Sequence, residues 1–241
     1  MIRAYLSRQM FHPGPVGILV NPFYLARRNL DRHIAALAPR LGGSLLDVGC
    51  GTKPYRSYFT VDEYIGLEIG DRTRQSSIQA DVLYDGSRFP FAASQFDSVT
   101  LFQVLEHVFE PDRFLAEVHR VLKPGGKLLI TVPFVWDEHE QPYDYGRYST
   151  FGLRHLLDRN GFSTDLIERS CRAPAALFQL INAYLFKLTV TKSGVVNAII
   201  TSLLMAPFTI AGIVLAALLP NHDDLYLDNI ALFTKRSDEL T

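Results

Sequence analysis

Short apolar runs alternate with amphipathic stretches along the middle of this chain. Runs near 44–48, 64–68, 77–81, 96–102 and 127–132 have the length and apolar continuity of strands buried in a parallel sheet. Residues 111–122 carry helical spacing: Phe114, Leu115, Val118, Val121 and Leu122 fall three and four apart and would cover one face of that sheet. A helix is expected from Asn21-Pro22 to about Ala38, on Leu25, Leu30, Ile34 and Leu37, with Pro39 and Gly42-Gly43 stopping it. Another starts at Ser149 or Thr150, buries Phe151, Leu153, Leu156 and Leu157, and exits at Gly161. Strands from about 163 to 168 and from about 226 to 234 close the pattern. The alternation predicts an α/β fold with a doubly wound, mostly parallel sheet.

Two segments lie outside this rhythm. Residues 1–21 carry Pro13, Gly14, Pro15 and Gly17 and read as an irregular arm. Residues 173–222 form an apolar helical insertion before the last strand. Its first half has a stripe of Leu177, Leu180, Ile181, Tyr184, Leu185 and Leu188, with Gln179, Asn182 and Lys187 among the other positions. Its second half, 195–219, has no charged residue and would be about 37 Å long as one helix, more than the roughly 30 Å hydrocarbon core of a bilayer. Pro207 and Gly212 could instead divide it. The expected division is therefore an arm (1–21), a main domain (22–172 and 223–241) and the insertion.

Composition narrows the function classes. With 241 residues and a formal net charge of −1, the chain has no basic character that would point to a nucleic-acid partner. Cys50 and Cys171 are far apart with no neighbour at metal-ligand spacing, so neither a disulfide framework nor a metal site is expected. The first eight residues lack the apolar core and cleavage site of a signal peptide, and a cytosolic location is expected.

The most specific feature is the stretch Leu45-Leu46-Asp47-Val48-Gly49-Cys50-Gly51-Thr52. A strand ends there in a turn whose glycines allow positive φ and close approach of a ligand. Thr52 can cap a helix with Pro54 in its first turn. Sixteen residues beyond Thr52, at the end of the next apolar run, Glu68 is placed to take both hydroxyls of a ribose. The pattern announces a nucleoside cofactor.

With its ordered company, this stretch resembles the class I S-adenosylmethionine-dependent methyltransferases over roughly residues 22–170 and again at the last strand. The company is Gln79-Ala80-Asp81-Val82, Phe89-Pro90-Phe91 before Gln95-Phe96-Asp97-Ser98-Val99, Gln103-Val104-Leu105-Glu106-His107-Val108, and Leu122-Lys123-Pro124-Gly125-Gly126-Lys127. The resemblance implies a seven-stranded Rossmann-like sheet and S-adenosylmethionine as cofactor. It also implies roles by position. Asp47, Gly49, Cys50 and Gly51 would line the methionine side, Glu68 would hold the ribose with Ile69 beside the adenine, and Asp81, at the end of the third strand, and Val82 would meet the adenine. Phe102 and Gln103 would contact the cofactor's centre. The usual third glycine is replaced by Lys53-Pro54, which also removes the nicotinamide fingerprint and counts against a dehydrogenase. Residues 133–149 look like the loop after the fifth strand in bacterial methyltransferases often associated with surface-polysaccharide biosynthesis.

Methyl transfer to a hydroxyl gains from a base. His139, past the carboxyl edge of the fifth strand, is the preferred base, with Glu140 orienting it or replacing it. Tyr143, Asp144, Arg147 and Tyr148 offer ring faces and polar groups to a carbohydrate or phosphate-bearing acceptor; equally, the tyrosines form a lid while Asp144 and Arg147 pair. His107 is expected to cap or pack beneath the cofactor.

If the strands flanking the insertion share one cytosolic sheet, a single membrane crossing is excluded, leaving a re-entrant hairpin, two crossings or helices lying in the interface. Arg169, Arg172, Lys187 and Lys192 suit an anionic leaflet. A buried homodimer interface would hide the same apolar surface. The expected activity is O-methylation of a membrane-face acceptor such as a lipid-linked sugar. Competing readings are a quinone precursor or soluble small molecule as acceptor, and a catalytically inactive cofactor-binding scaffold.

Overall fold

The computed structural model of the chain describes residues 2–70, 78–220 and 222–237. The segment expected as an irregular arm is helical: α1 (Ile2–Phe11) and α2 (Gly17–Val20) precede α3 (Tyr24–Leu37). Pro13, Gly14 and Pro15 break only the connection between the first two. Side chains hold that connection, because Gln9 Oε1 accepts from Gly14 N at 2.8 Å and Asn21 Nδ2 donates to Gln9 O at 2.9 Å.

Beyond α3 the chain forms β1 (Ser44–Val48), β2 (Glu63–Ile69), β3 (Val82–Tyr84), β4 (Phe96–Phe102), α4 (Pro111–Val121), β5 (Leu122–Pro133), α5 (Thr150–Arg159) and β6 (Phe162–Ala173). The insertion supplies α6 (Ala175–Thr189), α7 (Gly194–Ile200) and α8 (Ala206–Leu218), and β7 (His222–Lys235) follows. The seven strands lie in the order β3-β2-β1-β4-β5-β7-β6. β1 pairs in parallel with β2 and β4, which places the switch in winding direction at β1 and β4 and opens a crevice at their carboxyl ends. β7 runs against its neighbours: Lys127 Nζ meets Thr234 Oγ1, whereas residue 135 bonds to Leu227.

The third strand lies at Val82–Tyr84, not at 77–81, where Ser77 is outside the described residues. Gln79 N bonds to Gly51 O, so the backbone before β3 is drawn to the glycine turn and joins β2 only afterwards. Phe151 is exposed rather than buried. It sits two positions before Leu153, on the opposite side of the helix from Leu153, Leu156 and Leu157. As expected, Ser149 caps α5 by accepting from Gly152 N, and Gly161 leaves it at φ +86°.

Two compact units divide the chain. One comprises Ile34–Phe134, Glu138–Glu168 and Asn229–Thr241. Its core joins Leu46, Val48, Val99 and Leu101 of the sheet to Leu115, Val118 and Val121 of α4 and to Leu153 and Leu157 of α5. The other comprises Met1–His33, Val135–Asp137 and Arg169–Asp228. Contacts group the N-terminal segment with the insertion, because Tyr24, Leu25 and Ala26 share a core with Ala175, Ala176 and Leu227.

Within this second unit, α6 is inverted relative to expectation. Gln179 and Asn182 are fully buried, whereas Leu177, Ile181, Tyr184 and Leu188 of the apolar stripe are exposed. Hydrogen bonds permit the inversion: Gln179 bridges Ala26 N and Pro22 O, and Asn182 Nδ2 donates to Thr209 Oγ1 at 2.9 Å. Residues 194–218 form one continuous helix of 25 residues with mean hydropathy 2.2, long and apolar enough to cross a bilayer by length and composition. Pro207 does not break it. A π-turn at Thr201–Met205 absorbs the hydrogen bond that proline cannot make. Three of the four basic residues read as leaflet-facing have acidic or carbonyl partners: Arg169 at Asp223 O, Arg172 at Asp223, and Lys187 at Asp137.

The sheet core sets a clear expectation. Leu101→Ala, fully buried on β4, should cost about 2–5 kcal/mol in denaturant unfolding, whereas Leu83→Ala on the exposed edge strand should cost about 0.5 kcal/mol or less.

Candidate active site

At the carboxyl end of β1 the chain reverses through Gly49 and Gly51, both at positive φ (+70° and +50°). A Cβ on Gly49 would stand 2.5 Å from Val104, so that glycine is needed for packing as well as conformation. A Cβ on Gly51 would meet nothing within 4 Å; this residue keeps a space open at the crevice. Gly49 N and Cys50 N bond to Leu67 O of β2. Glu68 then closes the loop: one carboxylate oxygen accepts from Gly51 N at 2.9 Å and the other from Ile69 N at 3.0 Å.

Lys53 occupies the place of the missing third glycine and adopts the glycine-like conformation itself, at φ +52°. Its ammonium pairs with Asp81, whose carboxylate also accepts from Gly66 N at 2.7 Å. Partial burial pushes the Asp81 carboxyl up, but the Gly66 and Lys53 hydrogen bonds outweigh it and hold the group below its ordinary value. Because the left-handed residue ends the turn, Thr52 caps no α-helix. The chain passes through a single 3-10 turn at Arg56–Tyr58 instead, with Tyr55 edge-on to Phe102 at 5.2 Å.

Asp47 is buried to 3% exposure and does not point openly into the crevice. It accepts from Tyr64 OH on β2 and from Thr100 Oγ1 on β4. Burial raises its carboxyl to about 6 against the pull of these two hydrogen bonds. Burial likewise pushes the Cys50 thiol up to about 12, which marks it as a small packing residue rather than a nucleophile. Ile69 and Val82 lie at neighbouring strand ends. Phe102 ends β4, and Gln103 turns out of it at φ +57°, its side chain donating to Thr131 Oγ1. Tyr64 and Thr100 were not singled out by the sequence; both sit at ordinary strand positions and acquire meaning only through the pairing of β1 with β2 and β4. Lys53 was read only as the replacement of a glycine, not as the partner of Asp81.

The loop after β5 is held by Asp144. Arg147 forks onto both its oxygens at 2.6 and 2.7 Å, and His139 N donates to it at 2.9 Å. The Arg147 hydrogen bonds, then this backbone bond, hold the Asp144 carboxyl far below its usual range despite partial burial. Asp144 Oδ2 also lies 3.2 Å from His139 Nδ1, the orienting position expected for Glu140, which is exposed at φ +52°. Arg147 is thus engaged in positioning Asp144, and Tyr148 packs against the sheet core. Tyr143 is exposed at the loop tip. His107 is carried by the 3-10 turn Leu105–His107, donates from Nδ1 to Tyr143 O at 2.7 Å, and meets the His139 ring edge-on at 4.8 Å. Glu106, His107 and His139, none of which the sequence suggests as metal ligands, converge, one ligand atom from each lying within 4.8 Å of the others. Residues 106 and 139 are too far apart in sequence for spacing to reveal this.

Residues 46–130 match the methyltransferase-domain family. A demethylmenaquinone methyltransferase of Renibacterium salmoninarum is 39% identical over 125 residues, covering 48% of this chain and 49% of the relative. A ubiquinone biosynthesis O-methyltransferase of Caulobacter vibrioides is 35% identical over 118 residues, 44% of this chain and 46% of the relative. The chain thus spans about half the length of the curated relatives it matches. Among solved structures, a Haemonchus contortus phosphoethanolamine N-methyltransferase with bound S-adenosylhomocysteine aligns at TM-score 0.57 and 16% identity, covering 98% of this chain and 59% of the other. The [4+2]-cyclase SpnF aligns at 0.55 and 19%, covering 94% and 96%. The seven-stranded, mostly parallel architecture, with an apolar helical insertion before its last strand, is the Rossmann-like methyltransferase fold.

Proposed function

We propose that this protein is an S-adenosylmethionine-dependent methyltransferase that O-methylates an acceptor carried at a membrane face. The observation that carries the reading is the open crevice at Gly51, flanked by the carboxylates of Glu68 and Asp81. These residues fit a sulfonium nucleoside: Glu68 would hold the ribose hydroxyls, Asp81 with Val82 and Ile69 the adenine, and the 47–51 turn with Phe102 and Gln103 the methionine side and centre. The cofactor, when bound, supplies a methyl group on an excellent leaving group. The chain's own residues then align the acceptor, exclude water and move one proton. His139, oriented by Asp144, accepts the proton of the acceptor hydroxyl, while Tyr143 offers its ring to the acceptor.

Calorimetry with S-adenosylhomocysteine should give one-to-one binding, and Glu68→Ala should weaken it by about tenfold or more, the loss of one charge-assisted pair. Unaltered affinity in that variant would remove the ribose role. His139→Ala should lower transfer by about 10²–10⁴-fold, with cofactor affinity unchanged. Binding of cofactor without transfer to any acceptor would favour a scaffold.

The membrane part rests on the inverted α6 and the apolar helix 194–218, which turn Leu177, Tyr184, Leu188, Leu203 and Leu218 outward. A lipid-linked sugar is the acceptor we favour. The quinone relatives support a second lipid-borne class, an isoprenoid quinone precursor. Mass spectrometry of lipid extracts from cells with and without this chain distinguishes them. Full-length protein should co-sediment with phospholipid vesicles, and Leu203→Glu with Leu218→Glu should release it. A wild-type protein that stays in the supernatant as a dimer would assign the apolar surface to self-association instead.

A further inference from the structure

We infer that Glu106, His107 and His139 form a binding site for a first-row divalent transition-metal ion of the zinc and cobalt class. The inference rests on the geometry of the loops after β4 and β5 and stands whether or not the chain transfers methyl groups. Two imidazoles and a carboxylate are a common ligand set for such ions. Glu106 is fully buried, which for a carboxylate is costly unless positive charge lies close. Its Oε1 lies 3.9 Å from His107 Nε2.

The surroundings orient these groups as supports of metal ligands do. His107 donates its Nδ1 proton to Tyr143 O at 2.7 Å, which fixes the tautomer and turns the lone pair of Nε2 toward Glu106. His139 has the Asp144 carboxylate at Nδ1, and Asp144 is itself clamped by Arg147. The backbone completes the frame: Tyr145 N and Gly146 N both bond to Glu106 O, tying the loop that carries His139 to the turn that carries the other two residues. The three ligand atoms lie within 4.8 Å of one another. Bonds of 2.0–2.2 Å in a tetrahedral site put ligand atoms about 3.4 Å apart, so modest side-chain rotation closes the set. With an ion bound, His139 would be a ligand and not the base. An acceptor hydroxyl on the fourth position would be made more acidic by the charge of the cation, as metal-bound water is, and would release its proton to solvent water.

The test uses the full chain freed of metal with a chelator. Zn2+ titrated by calorimetry should bind with one-to-one stoichiometry, and Co2+ should give the visible absorption of a nitrogen-ligated, four- or five-coordinate site. The isosteric Glu106→Gln, together with His107→Gln and His139→Gln, should each weaken Zn2+ by about tenfold or more and abolish the cobalt bands. His222→Ala, which alters the exposed His222 and Asp224 pair, should leave both unchanged. Equal affinity in wild type and the Glu106 and His139 variants, or no saturable binding below about 0.1 mM, would overturn the site. Far-ultraviolet circular dichroism checks that each variant is folded, and calorimetry with S-adenosylhomocysteine is run on the same samples. It also separates the readings: cofactor binding without zinc binding sinks the metal site alone, and the reverse sinks the methyltransferase reading alone.

Discussion

A carboxylate buried in the central strand of a parallel sheet must have its oxygens hydrogen-bonded, and in this protein that requirement organises the site. Asp47 meets it with Tyr64 from β2 on one side and Thr100 from β4 on the other. One side chain therefore ties together the three strands whose carboxyl ends define the crevice. The cost of burying it shows in the raised carboxyl value, and the return is a fixed departure point for the turn that follows. Everything downstream, from the backbone bond of Gly51 to Glu68 to the passage of Gln79 onto Gly51 O, is referred to that point.

Much of this was legible in the chain because its signals are local. The glycines, the strand before them and the acid after the next strand are each set by neighbours within a few residues. The same holds for α4, whose stripe matches its buried Leu115, Val118 and Val121, and for the Ser149 cap. What escaped was set at a distance. The N-terminal segment reads as irregular because its prolines and glycines cluster, yet Gln9 and Asn21 bridge that cluster from outside. α6 reads with its leucines inside, since the residues that satisfy Gln179 lie more than 150 positions away. Asp144 could be read as the partner of Arg147 but not as the group beside His139, a matter of loop shape rather than spacing.

The two units show opposite solutions to the same solvent problem. In one, a mixed set of aliphatic and aromatic side chains is sealed between sheet and helices. In the other, beside an apolar core that includes Tyr24, Leu25, Ala176 and Leu227, Gln179, Asn182 and Thr209 face inward and are hydrogen-bonded, while many leucines, isoleucines and valines of α6 to α8 face out. Covering such a surface with another apolar one would be favourable. The Asn182–Thr209 pair between α6 and α8 adds a directional contact that fixes how these helices register.

Lys53 has one more consequence, for the order of events in turnover. Its ammonium and the Arg56 guanidinium over the Tyr64 ring offset only part of the negative charge contributed by Asp47, Glu68 and Asp81. The sulfonium donor carries one more positive charge than the thioether left after transfer. Such a surround holds the loaded donor more strongly than the spent one, so electrostatics alone would bias the site toward exchange after each cycle. A lysine in a conformation usually left to glycine sets how strong that bias is.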